Sequence, residues 1–310
     1  MSADDNNINV PDACANCGRG EDSTDSLKAC TACKLVKYCN RECQIAHRPQ
    51  HKKACKKRAK ELYDEKLFKL PPSLYGDCPI CFLRMPSLNT GRRYQSCCGK
   101  VICSGCIHAP VYDDLGNEVD NKKCPFCRTP DPGTKEEIVK RVNKRMDVRD
   151  AYAIYQKGSF YSNGSYGFAQ DYEKALDFWH RAGELGSVES SYNIGNAYHN
   201  GLMCVEVDEK RARHYWELAA IGGITEARHN LGAVEFYAGN ATRAMKHYMI
   251  AVSGGGKDSL DTIRKMVTNA DATKDDYAKA LRLYQAYLDE IKSDQRDKAA
   301  AAREDYKYIE

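Results

Sequence analysis

From about residue 150 to the end of the sequence, Ala, Tyr and Leu return at spacings of three and four. That is the pattern of helices that each bury one face. The pattern itself repeats. Trp179 and Trp216 are 37 residues apart, and so are Gly158, Gly195 and Gly232 in succession. The third unit has a shorter second half, so Tyr248 follows Trp216 by 32. A degenerate fourth unit, DDYAKALRLYQAYLDEI, puts Lys279-Ala280 where Lys174-Ala175 stood in the first. A period of this length predicts a solenoid of helix pairs, because one pair cannot bury its apolar face alone. The Gly and Ala positions mark where helices approach closely. Thr134 with Glu137 has the capping-box spacing and predicts a helix start. The charged, Ala-rich stretch from Glu290 to Glu310 suits a polar capping helix. Residues 133–310 therefore read as one helical-repeat domain.

Upstream the helical pattern gives way to cysteine. The chain holds 16 cysteines; fifteen lie between Cys14 and Cys127, and only Cys204 lies beyond. Residues 1–12 are polar and acidic and read as a disordered lead. Residues 13–58 and 75–132 read as two cysteine-rich modules, the second closed by the turn signal TPDPG. Residues 59–74 read as a linker helix that stops at Pro71-Pro72. No run of about 18 apolar residues exists, so no membrane span is expected. The first residues lack the basic start and apolar run of a secretory signal. A reducing compartment, cytoplasmic or nuclear, is expected, where CxxC pairs read as metal sites rather than disulfides.

The net charge of +4 is too near zero to mark the whole chain as a nucleic-acid binder. Lys52–Lys60 reads KKACKKRAK. That block suits nucleic acid or an acidic peptide, but a solvated face that offsets thiolate charge is favoured.

In the first module the metal-type residues are Cys14 and Cys17, Cys30 and Cys33, Cys39 and Cys43, then His51 and Cys55. A CxxC turn aims two sulfurs at one ion, and ligands spaced i, i+4 share a helix face. Eight ligands suffice for two closed tetrahedral zinc sites, which are structural rather than catalytic. Ligand order, spacing and Tyr38 before the fifth ligand resemble the MYND zinc finger over residues 14–55. The resemblance implies interleaved sites, with Cys14, Cys17, Cys39 and Cys43 on one zinc and Cys30, Cys33, His51 and Cys55 on the other. It also implies binding of short, often proline-rich, peptides of partner proteins.

The second module reads Cys78-Pro-Ile-Cys81, then Cys97-Cys98-Gly-Lys-Val-Ile-Cys103-Ser-Gly-Cys106, then Cys124-Pro-Phe-Cys127-Arg128. This frame resembles a RING finger over about residues 76–130. The resemblance implies that Cys78, Cys81, Cys103 and Cys106 hold one zinc, and that Cys98, Cys124 and Cys127 belong to the other. Lys100 stands where a RING finger usually has a ligand. Cys97 is the favoured replacement and His108 the alternative. Four zinc ions are therefore expected in the chain. Active RING ligases dock a ubiquitin-conjugating enzyme, and the matching positions here are Ile80, Pro125 and Arg128. A RING-like zinc knob that only stiffens the molecule is the competing reading.

The repeats resemble Sel-like repeats, relatives of the tetratricopeptide repeat. Ile194-Gly195, Tyr198, Gly201, Asp208, Ala212, Trp216 and Ala219-Ala220 carry the likeness, and Leu231-Gly232 continues it. Such arrays usually present a concave face to a protein partner. Gly254-Gly-Gly-Lys257 lacks an upstream glycine and precedes Asp258, so nucleotide binding is rejected. The expected architecture is multidomain: two small cross-brace zinc modules followed by an all-α helical-repeat solenoid. No nucleophile–base pair or open metal position is evident, so no autonomous catalytic site is expected. Two functions remain: a RING-type ubiquitin ligase or ligase subunit with the repeats as partner platform, and a non-catalytic zinc scaffold or co-regulator acting through the MYND module.

Overall fold

The computed structural model describes residues 12–20, 26–112, 115, 117–119 and 122–309. The expected disordered lead falls, but for Asp12, outside the described residues. The chain divides into two compact units, Met1–Lys69 and Leu70–Glu310.

In the first unit, β1 (Lys28–Ala29) pairs antiparallel with β2 (Lys37–Tyr38) ahead of a long helix α1 (Arg41–Phe68). Asn40 caps α1 by accepting from the Cys43 N–H. Pro49 lies inside α1 and takes one N–H out of its ladder. The helix nevertheless runs on, so residues 59–68 continue α1 instead of starting a separate linker helix. The candidate ligands Cys43, His51 and Cys55 flank Pro49 on the same helix.

The second unit opens with a zinc module. Its hairpin is β3 (Arg92–Gln95) and β4 (Lys100–Cys103), followed by the short helix α2 (Ser104–His108) and the pair β5 (Val111–Tyr112) and β6 (Glu118–Val119). Helix α3 (Lys135–Asp147) follows, capped by Thr134 on the Glu137 N–H. Helix pairs then stack: α4 (Ala151–Asn163) with α5 (Tyr172–Glu184), α6 (Val188–Asn200) with α7 (Glu209–Ile221), α8 (Thr225–Tyr237) with α9 (Ala241–Ser253), and α10 (Lys257–Thr268) with α11 (Lys274–Ile291). Asp150, Asp171, Ser187 and Asp208 cap successive helices with side-chain oxygens.

The 37-residue glycines have a shared packing reason. A Cβ on Gly158 would lie 2.6 Å from Cδ1 of Trp179, and one on Gly195 would lie 2.6 Å from Cδ1 of Trp216. In the shorter third unit Tyr248 takes the tryptophan's place against Gly232. Each first helix thus receives an aromatic ring of its partner directly on its backbone, which any larger residue would displace.

The zinc module packs on the repeat helices near their first turns. Tyr94 donates to Asp150 at 2.8 Å, and Tyr75 donates to Glu189 at 2.6 Å. Leu74 joins the core shared by α7 and α8. The last helix, α12 (Asp294–Ala302), is not a polar cap on the array. It packs against α2 of the zinc module with Arg296 and Ala299 buried, and Tyr306 and Tyr308 follow it inward. The architecture is N-terminal cysteine-rich, zinc-binding modules followed by a helical-repeat solenoid.

Candidate metal centres

Four of the five CxxC pairs, all but Cys103–Cys106 at the start of α2, share one local geometry. In each, the residue after the second cysteine returns its N–H to the first cysteine's carbonyl at 2.9 Å: Gly18 to Cys14, Lys34 to Cys30, Phe82 to Cys78 and Arg128 to Cys124. That residue sits at left-handed φ in every case, 74°, 55°, 58° and 63° in the same order. Only the first is glycine, so Lys34, Phe82 and Arg128 bear a conformational cost that the surrounding cluster must offset.

These turns gather donor atoms into four groups, each with its atoms within 4.8 Å of one another. They are Cys14, Cys17, Cys39 and Cys43; Cys30, Cys33, His51 and Cys55; Cys78, Cys81, Cys103 and Cys106; and Cys97, Cys98, Cys124 and Cys127. The ligand sets interleave along the chain in both modules. A zinc–sulfur bond of about 2.3 Å in a tetrahedron implies sulfurs roughly 3.8 Å apart. The structure places Cys17 and Cys39 3.7 Å apart, Cys30 and Cys55 3.8 Å apart, Cys81 and Cys103 3.8 Å apart, and Cys98 and Cys124 4.0 Å apart. None of these sulfurs is in a disulfide. The donor chemistry and spacing both fit zinc, one ion per group.

Proton affinities agree with a cation site too. Burial, then Cys33 and Cys30, pushes the Cys55 thiol up to about 12, while Cys30 is pulled to about 6 against its burial by the Cys33 backbone and His51. The three thiols of this group cannot all ionise so close together without a cation between them. Bound zinc would let every sulfur ionise and would tie distant chain segments together.

In the first module His51 faces Cys33 with Nε2, at 3.2 Å. His47 stacks on the His51 ring at 5.6 Å, and Tyr38 meets His47 Nδ1 at 3.1 Å. That chain of contacts orients the imidazole as a ligand needs. The Lys52–Lys60 block is carried on α1, with Lys52, Lys53, Lys56, Lys57 and Lys60 exposed.

In the second module Cys97 lies in the fourth group, with its sulfur 3.4 Å from Cys127. His108 is elsewhere, edge-on to Tyr306 with ring centroids 5.9 Å apart. Lys100 places its ammonium 5.8 Å from the centroid of the Phe126 ring instead of meeting a metal. Ile80 is 36% exposed and Phe126 43%, and Arg128 is exposed. Pro125 is half-buried and lines a cleft of about 570 Å³ with Ile138 and Arg141 of α3 and Gln156 of α4. Cys204 is an exposed loop thiol at left-handed φ.

The residues that the sequence did not single out are those that join the second module to the array: Tyr75, Tyr94, Gly105, Gln295 and Arg296. Tyr94 alone carried a signal, as an apolar-bodied residue in a strand next to a ligand pair.

Residues 14–55 match the family described as MYND finger, and residues 151–187 and 188–224 each match the Sel1 repeat. The chain therefore carries a MYND finger and Sel1 repeats. Among curated proteins it is similar to the E3 ubiquitin-protein ligase DA2 of Arabidopsis thaliana, 38% identical over 81 residues, covering 23% of this chain and 18% of the relative. It is also similar to the E3 ubiquitin-protein ligase GW2 of Oryza sativa subsp. indica, 36% identical over 69 residues, covering 22% of this chain and 15% of the relative. The matched segment thus spans less than a fifth of these relatives. A Sel1 repeat protein from Oxalobacter formigenes is 23% identical with a TM-score of 0.44, covering 50% of this chain and 64% of that one. No described helix is long and apolar enough to cross a membrane. The MYND finger, the four clusters and the Sel1 repeats make this a zinc-binding protein-interaction protein.

Proposed function

We propose that residues 75–132 form a RING-type module that recruits a ubiquitin-conjugating enzyme, making the chain a ubiquitin ligase or ligase subunit. The MYND finger (13–58) and the repeat domain (133–310) serve as its platform for protein or peptide partners. Fifteen cysteines and His51 act as structural zinc ligands. The observation that carries the reading is the interleaved pair of cysteine clusters whose outer turns leave Ile80, Phe126 and Arg128 exposed. The curated relatives named as E3 ubiquitin-protein ligases support it.

The chemistry is positioning. A conjugating enzyme already carries ubiquitin as a thioester, and holding that thioester in a reactive pose is enough to speed transfer. Ile80 offers apolar surface beside the first turn. Arg128, exposed just after the last turn, offers a planar fork of donors suited to bridging two proteins. No side chain of this protein needs to exchange a proton.

The test is ubiquitin chain formation by the full-length zinc-loaded protein against a panel of conjugating enzymes. Arg128→Ala and Ile80→Ala should abolish chain formation with zinc content unchanged. Full activity in both variants, or none from the parent with any conjugating enzyme, sinks the ligase reading. The rival is a non-catalytic scaffold, favoured by Lys100 in the ligand position and by the partial cover over Pro125. It predicts that partners captured by the parent are lost on deleting residues 150–310.

A further inference from the structure

We propose that α12 is the closing wall of the second zinc module, with Arg296 and Gln295 holding the thiolates of Cys81 and Cys106 and so setting how tightly that cluster keeps its zinc. The proposal concerns metal retention and stands apart from the ligase reading.

Arg296 is fully buried. Its guanidinium donates to the carbonyl of Arg84 at 2.9 Å, to those of Leu83 and Ile291, and to Cys81 Sγ at 3.9 Å. A buried cation is costly unless it meets negative charge. With zinc bound, the one anionic group among these partners is the Cys81 thiolate. Four thiolates around one divalent ion leave a net charge of about −2, so this cluster is where a buried cation gains most. The two chemistries answer each other across 215 residues of sequence.

Gln295 adds a second donor. Its side-chain amide lies 4.0 Å from Cys106 Sγ with the oxygen facing the sulfur. Oxygen and nitrogen of an amide exchange by a half-turn. Against a thiolate the amide presents its NH2, which makes a charge-assisted hydrogen bond. The approach leaves no slack: a Cβ on Gly105, between ligands Cys103 and Cys106, would lie 2.9 Å from both Arg296 N and Arg296 Cγ. Around the same wall Tyr308 is hydrogen-bonded to Asp297, and Arg84 pairs with Glu290. Donors that reach ligands from outside the metal shell orient them and tune their hold on the ion.

The experiment uses full-length zinc-loaded protein treated with N-ethylmaleimide, with alkylation read at each cysteine by mass spectrometry. In Arg296→Met, Cys78, Cys81, Cys103 and Cys106 should alkylate roughly tenfold faster, the scale of a lost hydrogen bond to a charged group. The other three clusters should keep their parent rates. Arg296→Lys keeps the charge and loses the fork, so it should fall between. In the cobalt-substituted protein Arg296→Met should also shift the sulfur-to-metal charge-transfer band to lower energy, which mere loss of packing does not do. Tyr308→Phe removes the bond to Asp297 but no donor to the thiolates, and should leave the cluster at parent rates. Parent rates in Arg296→Met, or equal acceleration in Tyr308→Phe, overturns the proposal. Where Arg296→Met does not fold, Gln295→Ala decides: faster alkylation at the same four cysteines supports it, and parent rates overturn it.

Discussion

The two zinc modules use the same turns and the same interleaving, yet they rest on different foundations. In the first, the buried core is Cys14, Leu27, Cys30, Cys33 and Tyr38, so ligands make up most of it. In the second, Met85 and Ile102 join the ligands. Tyr94, Tyr75 and Arg296 then tie the module to helices far away in sequence. A metal can be nearly the whole core of a small module or one component of a larger core. The ligand pattern alone does not say which.

Metal removal separates the two cases with the largest effect. Structural zinc contributes about 10–16 kcal/mol per site to folding in small modules. A strong chelator added to the full chain should expose residues 26–58 to protease at once, because little apolar core remains there. The helices from Ala151 to Ser253 should stay protected, with the second module's turns loosened but still anchored at Tyr75 and Tyr94. Limited proteolysis with fragment mass mapping reads both regions in one digest. If residues 26–58 stay protected without metal, the contrast between the modules is wrong.

Overpacking the array tests the second foundation. Gly195→Ala would drive a methyl into the Trp216 ring, where a Cβ already lies 2.6 Å from Cδ1. The cost should be about 1–3 kcal/mol, read as a lower melting temperature of the helical signal. Zinc release from the cluster of Cys78, Cys81, Cys103 and Cys106 should quicken with it, while the first module keeps its metal as before. An unchanged melting temperature would mean that the helices part without penalty and that the 37-residue glycine has no packing role.

The repeat was legible because its cause is local and periodic: a glycine under an aromatic ring recurs every 37 residues through the first three units. The clustering of cysteines was legible because a CxxC turn dictates its own geometry, and the expectation that Cys97 rather than His108 joins the fourth group followed from its neighbour Cys98. The docking of α12 was not legible. DQRDKAAAA has the composition of a solvated helix, and a buried arginine contradicts what composition favours. Tyr75 and Tyr94 were hidden for a related reason, since their partners Glu189 and Asp150 sit at helix starts, where acids are expected anyway. The left-handed Lys34, Phe82 and Arg128 were hidden because only the first of the four turns carries glycine there.

Acid provides the smallest of these perturbations, and in the array it acts through a buried histidine. His247 of α9 is fully buried. Burial, then the Arg228 charge, pulls its pKa from 6.5 down to about 3; Glu235 opposes the shift, and Arg243 and Arg213 add to it. In the unfolded chain the same imidazole takes a proton near pH 6.5. Below that pH the unfolded state binds more protons than the folded one, so stability is full above about 6.5 and falls as the pH drops toward 3. The loss approaches about 1.4 kcal/mol for each pH unit. The thiol clusters also release zinc in acid, so the useful quantity is a difference. His247→Gln keeps a polar side chain and cannot take the proton. Between pH 6.5 and 5.5 the parent's helical melting temperature should fall more steeply than the variant's, and the first module's zinc content should fall equally in both. Equal slopes in melting temperature would mean that His247 is already charged in the fold. The sensitivity of the second module to acid would then come from its own sulfurs, as in the first, and not from the array that holds it.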